Sequence, residues 1–172
     1  RQRHLTIPCE MCIRDRSQRE FFDKLKFTII GAGKLFDSTN AQLSKFSNVT
    51  LIKKFLTHLE IAEIQKSFGI FLNPTRWDSQ GVSRDEAMSS GLVAITTNVA
   101  AIPEFVDNNC AVIVPPEDYK AIAKEVERLY NNPKRFLELS KAGSLRVRQQ
   151  SNLEQTIAKE ILLILNKKGI DN

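Results

Sequence analysis

Nothing in this chain is long or apolar enough to span a bilayer. The longest apolar run of note, ILLIL at Ile161–Leu165, falls far short of the roughly 20 residues a spanning helix needs. The N-terminus lacks an apolar h-region, so no signal peptide is read and a cytoplasmic location is expected. Cysteine is scarce: Cys9, Cys12 and Cys110 are three in all, an odd number that gives no disulfide framework. Cys9 and Cys12 form one C-x-x-C, CEMC. Without a second pair or neighbouring histidines, this is a weak metal or redox signal. Charge of one sign is not in large excess either. Lys and Arg number 25 against 20 Asp and Glu, a net charge of +5. That balance suits an anionic small molecule and makes no case for nucleic acid. Internal repeats, low-complexity tracts and long linkers are missing, and 172 residues suit one domain with a sizeable core.

One segment looks foreign. MCIRDR, Met11–Arg16, reads as the translation of the end of a transposase adapter used in preparing sequencing libraries. Positions 1–16 are therefore expected to be non-native and are kept out of fold reasoning. Without them four Arg and two acids are lost, the net charge falls to +3, and Cys110 and His58 become the single thiol and histidine. The domain is expected over 17–172.

From Ser17 onward, short apolar runs alternate with helical stretches. FTII (Phe27–Ile30), VTLI (Val49–Ile52), GIFL (Gly69–Leu72), VAIT (Val93–Thr96) and AVIV (Ala111–Val114) are continuous apolar runs, the pattern of strands buried on both faces. Thr57–Phe68 has helical period and opens with a capping box, Thr57 with Glu60. A strand-to-strand spacing of about twenty residues is that of repeated βα units. The expected fold is α/β, an open doubly wound, Rossmann-like parallel sheet flanked by helices. The last third reads as three successive helices, with Pro133 at an N1 position and Asn152 with Gln155 as a further cap.

In such sheets ligands bind beyond the carboxyl ends of the strands. After FTII comes GAGK (Gly31–Lys34), after VTLI comes KKF (Lys53–Phe55), after GIFL comes NPTRWDSQG, and after VAIT comes TNVAAIPE. Turn glycines, cations, an acid-bearing loop and the polar Thr97 thus collect on one rim. GAGK alone is open to two readings, a tight strand-to-helix turn or a phosphate contact, since it fits neither a dinucleotide fingerprint nor a Walker A loop. Ser83-Arg84-Asp85-Glu86 fits an S-x-x-E capping box with Ser83 as N-cap, and Gly91 would close a short helix in the left-handed region. A cap leaves Asp78, Gln80 and Gly81 unexplained. A helix N-terminus at the rim offers free N–H groups to a diphosphate, and a carboxylate nearby can accept hydrogen bonds from sugar or ribose hydroxyls.

The segment RWDSQGVSRDEAMSSGLVAITTNVAAIPEFVDNNCAVIVPPED (Arg76–Asp118) resembles the donor-binding core of group 1 glycosyltransferases, glycosyltransferase family 4, with the GT-B fold. Their pattern is roughly E-G-F-G-x-x-x-x-E-A-M-A-x-G-x-P-V-V, followed by a G-G-x-x-E stretch. The resemblance runs from about Phe27 through the terminal helices. It implies that this chain is the C-terminal half of such an enzyme, binding a nucleotide-diphosphate sugar and transferring the sugar with retention, without a metal or other cofactor, to an unidentified acceptor that is a glycan, a lipid-linked species or a small molecule. It implies polysaccharide or glycoconjugate synthesis, an N-terminal acceptor domain elsewhere in the same enzyme, and a fragment inactive alone.

By position, the resemblance gives Glu86 the nucleotide ribose and Asp78, where the family has Glu, the donor-sugar hydroxyls. Gln80, Gly81 and Val82 match the loop whose amides approach sugar and phosphate, Gly31 and Gly33 the glycine turn near the diphosphate, and Lys54 and Phe55 the border of the base. Arg76 and Lys34 are the candidate cations for the diphosphate. Ala100 and Ala101 stand where the family has glycines, and the family's diphosphate Arg and Lys fall upstream of Ser17. Two other readings are a non-catalytic nucleotide-binding or interaction module on the same fold, and a dinucleotide-dependent oxidoreductase, against which the defective glycine fingerprint counts. SKAGSLRVRQQ offers a peripheral contact with an anionic membrane, although Arg146 and Arg148 suit a solvated face better. ILLIL reads as core, packed on this domain or on the other half of the enzyme.

Overall fold

A computed structural model of the chain describes residues 19–167. The Cys9–Cys12 pair and the segment expected to be foreign, positions 1–16, lie outside the described residues. The chain alternates strand and helix as the apolar runs require: α1 (Arg19–Phe22), β1 (Phe27–Ile30), α2 (Phe36–Leu43), β2 (Val49–Ile52), α3 (His58–Gln65), β3 (Ile70–Asn73), α4 (Val82–Ser89), β4 (Val93–Thr97), α5 (Ile102–Phe105) and β5 (Val112–Val114). Three helices follow, α6 (Tyr119–Asn131), α7 (Pro133–Gln150) and α8 (Leu153–Lys167).

Among the described residues all pairings are parallel, as expected, but the strands do not join into one sheet. β1 pairs with β2, Phe27 opposite Val49 through Ile30 opposite Ile52. Separately, β4 lies between β3 and β5, with Ile70 opposite Val93 and Ile95 opposite Val112. β1 and β3 are each a sheet edge. Burial follows this division. Every residue of β4 is buried, whereas every residue of β3 is only partly so.

Alternation across β4 feeds two cores. Ala94 faces Met88, Ile102, Val106, Cys110 and Val147, and Val93 and Ile95 face Ile122, Val126, Leu129 and Leu139. Each such buried aliphatic side chain contributes roughly 1.5–3 kcal/mol. The first sheet has its own cluster of Ile29, Leu43 and Val49 with Phe22, Phe27 and Phe46. Gly143 lets α7 lie close beneath α4, since a Cβ there would stand 2.8 Å from the Cys110 carbonyl and 3.1 Å from Met88 Cε.

Helix starts obey local chemistry. The Thr57–Glu60 capping box forms in full. Asn132 accepts from the Arg135 amide with Pro133 in the first turn, and Asn152 accepts from the Gln155 amide at 3.1 Å. The ILLIL run does not pack on this domain. Its five side chains, Ile161 to Leu165, are half exposed or more. Among the described residues, no helix is long and apolar enough to cross a membrane.

Candidate functional site

α4 begins at the carboxyl rim of β3, and its start differs from the expected cap. Gly81, not Ser83, is the N-cap, with φ 85° and no side-chain cap bond. The left-handed glycine turns the chain into the helix two residues early, so Ser83 falls inside the first turn and Glu86 cannot reach back to an N-cap amide. The Glu86 carboxylate instead meets His58 Nδ1 at 3.0 Å. With no side-chain cap, the first-turn amides of Val82, Ser83 and Arg84 have no intrahelical acceptor and point off the end of α4. The far end behaves as expected, with Gly91 at φ 89°.

Behind the loop sits a residue the sequence did not single out. Arg84 is fully buried and donates to the Gln80 carbonyl at 2.6 Å and to Asp85 Oδ1 at 2.7 Å. Its Nη1 has no partner among the described residues. Burial raises the Asp85 carboxyl above its ordinary range, with Arg84 opposing that rise. Arg84 thereby straps the Gln80–Gly81 turn to α4. In the sequence it is indistinguishable from a solvated helix charge.

A cavity of about 1220 Å³ opens along β1, β3 and the face of α4. Asp78 and Glu86 both line it, with Val82, Ser83, Phe55, His58, Thr75 and Trp77. The two acids therefore border one hollow beside the uncapped end of α4. Asp78 Oδ1 also receives the Gln80 amide at 3.3 Å, an Asx turn that sets the loop. Trp77 is 80% exposed at this rim. It and His58 join the site only through folding, since neither has a sequence signal beyond its residue type.

The other expected site residues do not line the cavity. Gly31 and Gly33 form the turn after β1, where neither has a left-handed φ and an added Cβ would meet nothing within 4 Å. The turn itself does not demand glycine. Lys34 is exposed. Lys54 is paired with Glu60 and Arg76 with Glu117 at 2.8 Å, exposed pairs worth about 0–1 kcal/mol. Thr97 is buried and gives its hydroxyl to the Thr75 carbonyl. Ala100 adopts φ 47°, the left-handed conformation a glycine would hold without strain. Among the described residues, no three His, Cys, Asp or Glu side chains gather as a metal site would require.

Comparison with known proteins agrees with this architecture. The family model for glycosyl transferases group 1 matches residues 11–132. The chain is 26% identical over 101 residues to the lipopolysaccharide core biosynthesis mannosyltransferase LpsB of Rhizobium meliloti (strain 1021), covering 57% of this chain and 29% of that protein. It is 27% identical over 118 residues to the MMP alpha-(1->4)-mannosyltransferase of Mycolicibacterium hassiacum, covering 65% and 29%. The chain thus spans under a third of the length of these relatives. Among solved structures, TarM of S. aureus in complex with fondaparinux, alpha-GlcNAc-glycerol and UDP superposes with a TM-score of 0.74 at 19% identity, covering 91% of this chain and 31% of that one. On the family match over most of its length, with the α/β fold beneath it, the chain belongs to the group 1 glycosyltransferases.

Proposed function

We propose that this chain is the donor-binding half of a glycosyltransferase that takes a nucleotide-diphosphate sugar and passes the sugar, with retention, to a glycan, lipid-linked or small-molecule acceptor held by another domain. The observation that carries this reading is the shared hollow: Asp78 and Glu86 both border the cavity at the uncapped start of α4. The diphosphate sits at the free amides of Val82, Ser83 and Arg84, where the helix dipole favours negative charge. Glu86 accepts from the ribose hydroxyls and Asp78 from hydroxyls of the donor sugar, one on each side of the phosphates. As the glycosidic bond to the diphosphate breaks, the charge growing on the departing oxygen is met by amides already in place. Lys34 and Arg76 add positive charge once Arg76 leaves its exposed partner Glu117. Held hydroxyls fix the direction of the anomeric carbon, so Asp78 contributes position rather than proton transfer. The chemistry needs no metal, and the chain alone binds the nucleotide without transferring sugar.

Calorimetric titration of the chain with UDP and with GDP tests this. Weak binding of at least one nucleotide is expected, and Glu86→Ala should weaken it about 10- to 100-fold, the loss of a charged hydrogen-bond acceptor. A folded Glu86→Ala variant with unchanged affinity overturns the assignment. In the full-length enzyme, Asp78→Ala should lower the transfer rate while leaving nucleotide affinity nearly intact.

A further inference from the structure

His58 and Glu86 meet because two helices are tied together at both ends. His58 and Gln65 stand at the two ends of α3, two turns apart, and so share one of its faces. Glu86 and Ser90, one turn apart, share a face of α4. At the far end the buried Gln65 accepts from Ser90 Oγ at 2.8 Å. At the rim, His58 Nδ1 lies 3.0 Å from Glu86 Oε1. The start of α3 is fixed in turn, since Thr57 and Glu60 complete a capping box with His58 as the first helical residue.

Neighbouring cations have other partners. Lys54 is bonded to Glu60, Arg76 to Glu117, and Arg84 to Asp85 and the Gln80 carbonyl. Among the described residues, the hydrogen bond to the Glu86 carboxylate comes from His58. A carboxylate accepts and does not donate, so Nδ1 carries the proton of this bond. One oxygen of Glu86 is thereby engaged, and the second keeps its lone pairs for a hydroxyl.

We propose that His58 is a positioning residue for the nucleotide: its Nδ1–H holds one oxygen of Glu86 so that the other is set in advance to accept from the ribose. This rests on the reading of Glu86 as the ribose acceptor and adds the group that orients it. A free glutamate turns about several bonds and loses that freedom when it grips a ligand. A side chain already held loses less, and the difference appears as affinity.

Exposure separates this role from a structural one. The His58 side chain is 90% exposed and that of Glu86 32%, and a pair so open to water adds little to the stability of the fold. Both nevertheless line the cavity with Asp78, Val82 and Ser83. A nucleotide bound there would take water away from the pair and strengthen its bond. The consequence of the contact therefore falls on the ligand.

Calorimetric titration with UDP and GDP, and with their 2′,3′-dideoxy forms, tests the proposal. His58→Ala should weaken ribonucleotide binding roughly 3- to 10-fold. It should leave the dideoxy form unaffected, since that form offers Glu86 no hydroxyl. His58→Asn, whose amide nitrogen stands near the place of Nδ1, should restore affinity to within about twofold. Urea unfolding of the parent and His58→Ala should coincide. Nitrogen-15 spectra of the neutral ring supply a check without nucleotide: His58 should be protonated on Nδ1 in the parent and on Nε2 in Glu86→Ala. The same tautomer in both overturns the proposal, as does failure of His58→Asn to restore binding. Equal loss for both forms of the nucleotide also overturns it. So does unchanged ribonucleotide affinity in His58→Ala beside a weakened Glu86→Ala, and these results leave the donor reading standing. A parent that binds neither UDP nor GDP, or a Glu86→Ala variant as tight as the parent, overturns the donor reading and this inference with it.

Discussion

Replacing Gly81 with alanine isolates what holds the site loop in shape. Gly81 has φ 85°, a conformation that costs an L-residue about 1–2 kcal/mol. A Cβ there would stand 2.9 Å from Arg84 Nη1 and 3.0 Å from its Cζ. An exposed guanidinium could swing aside, but Arg84 is fully buried and already leaves Nη1 without a partner. Moving it weakens its bonds to the Gln80 carbonyl and Asp85, contacts worth about 1.5–3 kcal/mol each when a charged group takes part. Alanine recovers about 0.4–1 kcal/mol by narrowing the unfolded ensemble. The net expectation is a loss of roughly 2–4 kcal/mol, read from urea unfolding followed by far-ultraviolet circular dichroism. Gly31→Ala and Gly33→Ala are the controls, because a Cβ meets nothing there and neither φ is left-handed. Both should stay within about 0.5 kcal/mol of the parent. A Gly81→Ala loss no larger than these controls would refute the account of Arg84 as the strap behind the loop.

The Arg84–Asp85 pair gives a second measurement. Arg84→Ala leaves a buried acid without its cation and should cost about 3–5 kcal/mol, whereas Arg84→Met combined with Asp85→Leu should cost much less; equal losses in the two unfolding curves would contradict this. Gly143→Ala gains about 1 kcal/mol of helix propensity, yet its Cβ would press on the Cys110 backbone carbonyl at 2.8 Å, so a net loss of about 1–3 kcal/mol is expected. A raised thermal midpoint in that variant would show that α7 can move away from α4. Glu60 supplies the pH dependence. Its bond to Lys54, and then those from Thr57, hold its carboxyl at about 2 instead of 4.5. A depressed folded value means this support is complete above pH 4.5 and lost as pH falls through about 2. Glu60→Gln should flatten the acid-unfolding slope in that window, and an unchanged slope would remove the capping box from the account.

How much was legible in advance can be followed residue by residue. The apolar runs placed β1 and β2 residue for residue and β3, β4 and β5 to within one position. Thr57, Pro133 and Asn152 marked three helix starts, since a cap bond or a first-turn proline acts within one turn of the chain. Ser83 failed by the same logic. The local pattern for a cap was present, but the left-handed Gly81 started α4 before it, and a positive φ has no signature beyond the glycine itself. Asp78 and Glu86 were found as a pair because the motif spans eight residues on one loop and helix.

By itself the sequence determined the order of strands and helices, three of the helix starts, and the acid pair beside a fourth, all features set by neighbours within a turn or two. Only the tertiary structure decided that His58 faces Glu86, that Arg84 is buried behind the loop, that α8 lies exposed, and that β1 and β3 stand apart as open edges. Those outcomes depend on which distant segments meet. Periodicity records whether a face is apolar but not what covers it, so pairing and burial could be settled only once the chain had packed.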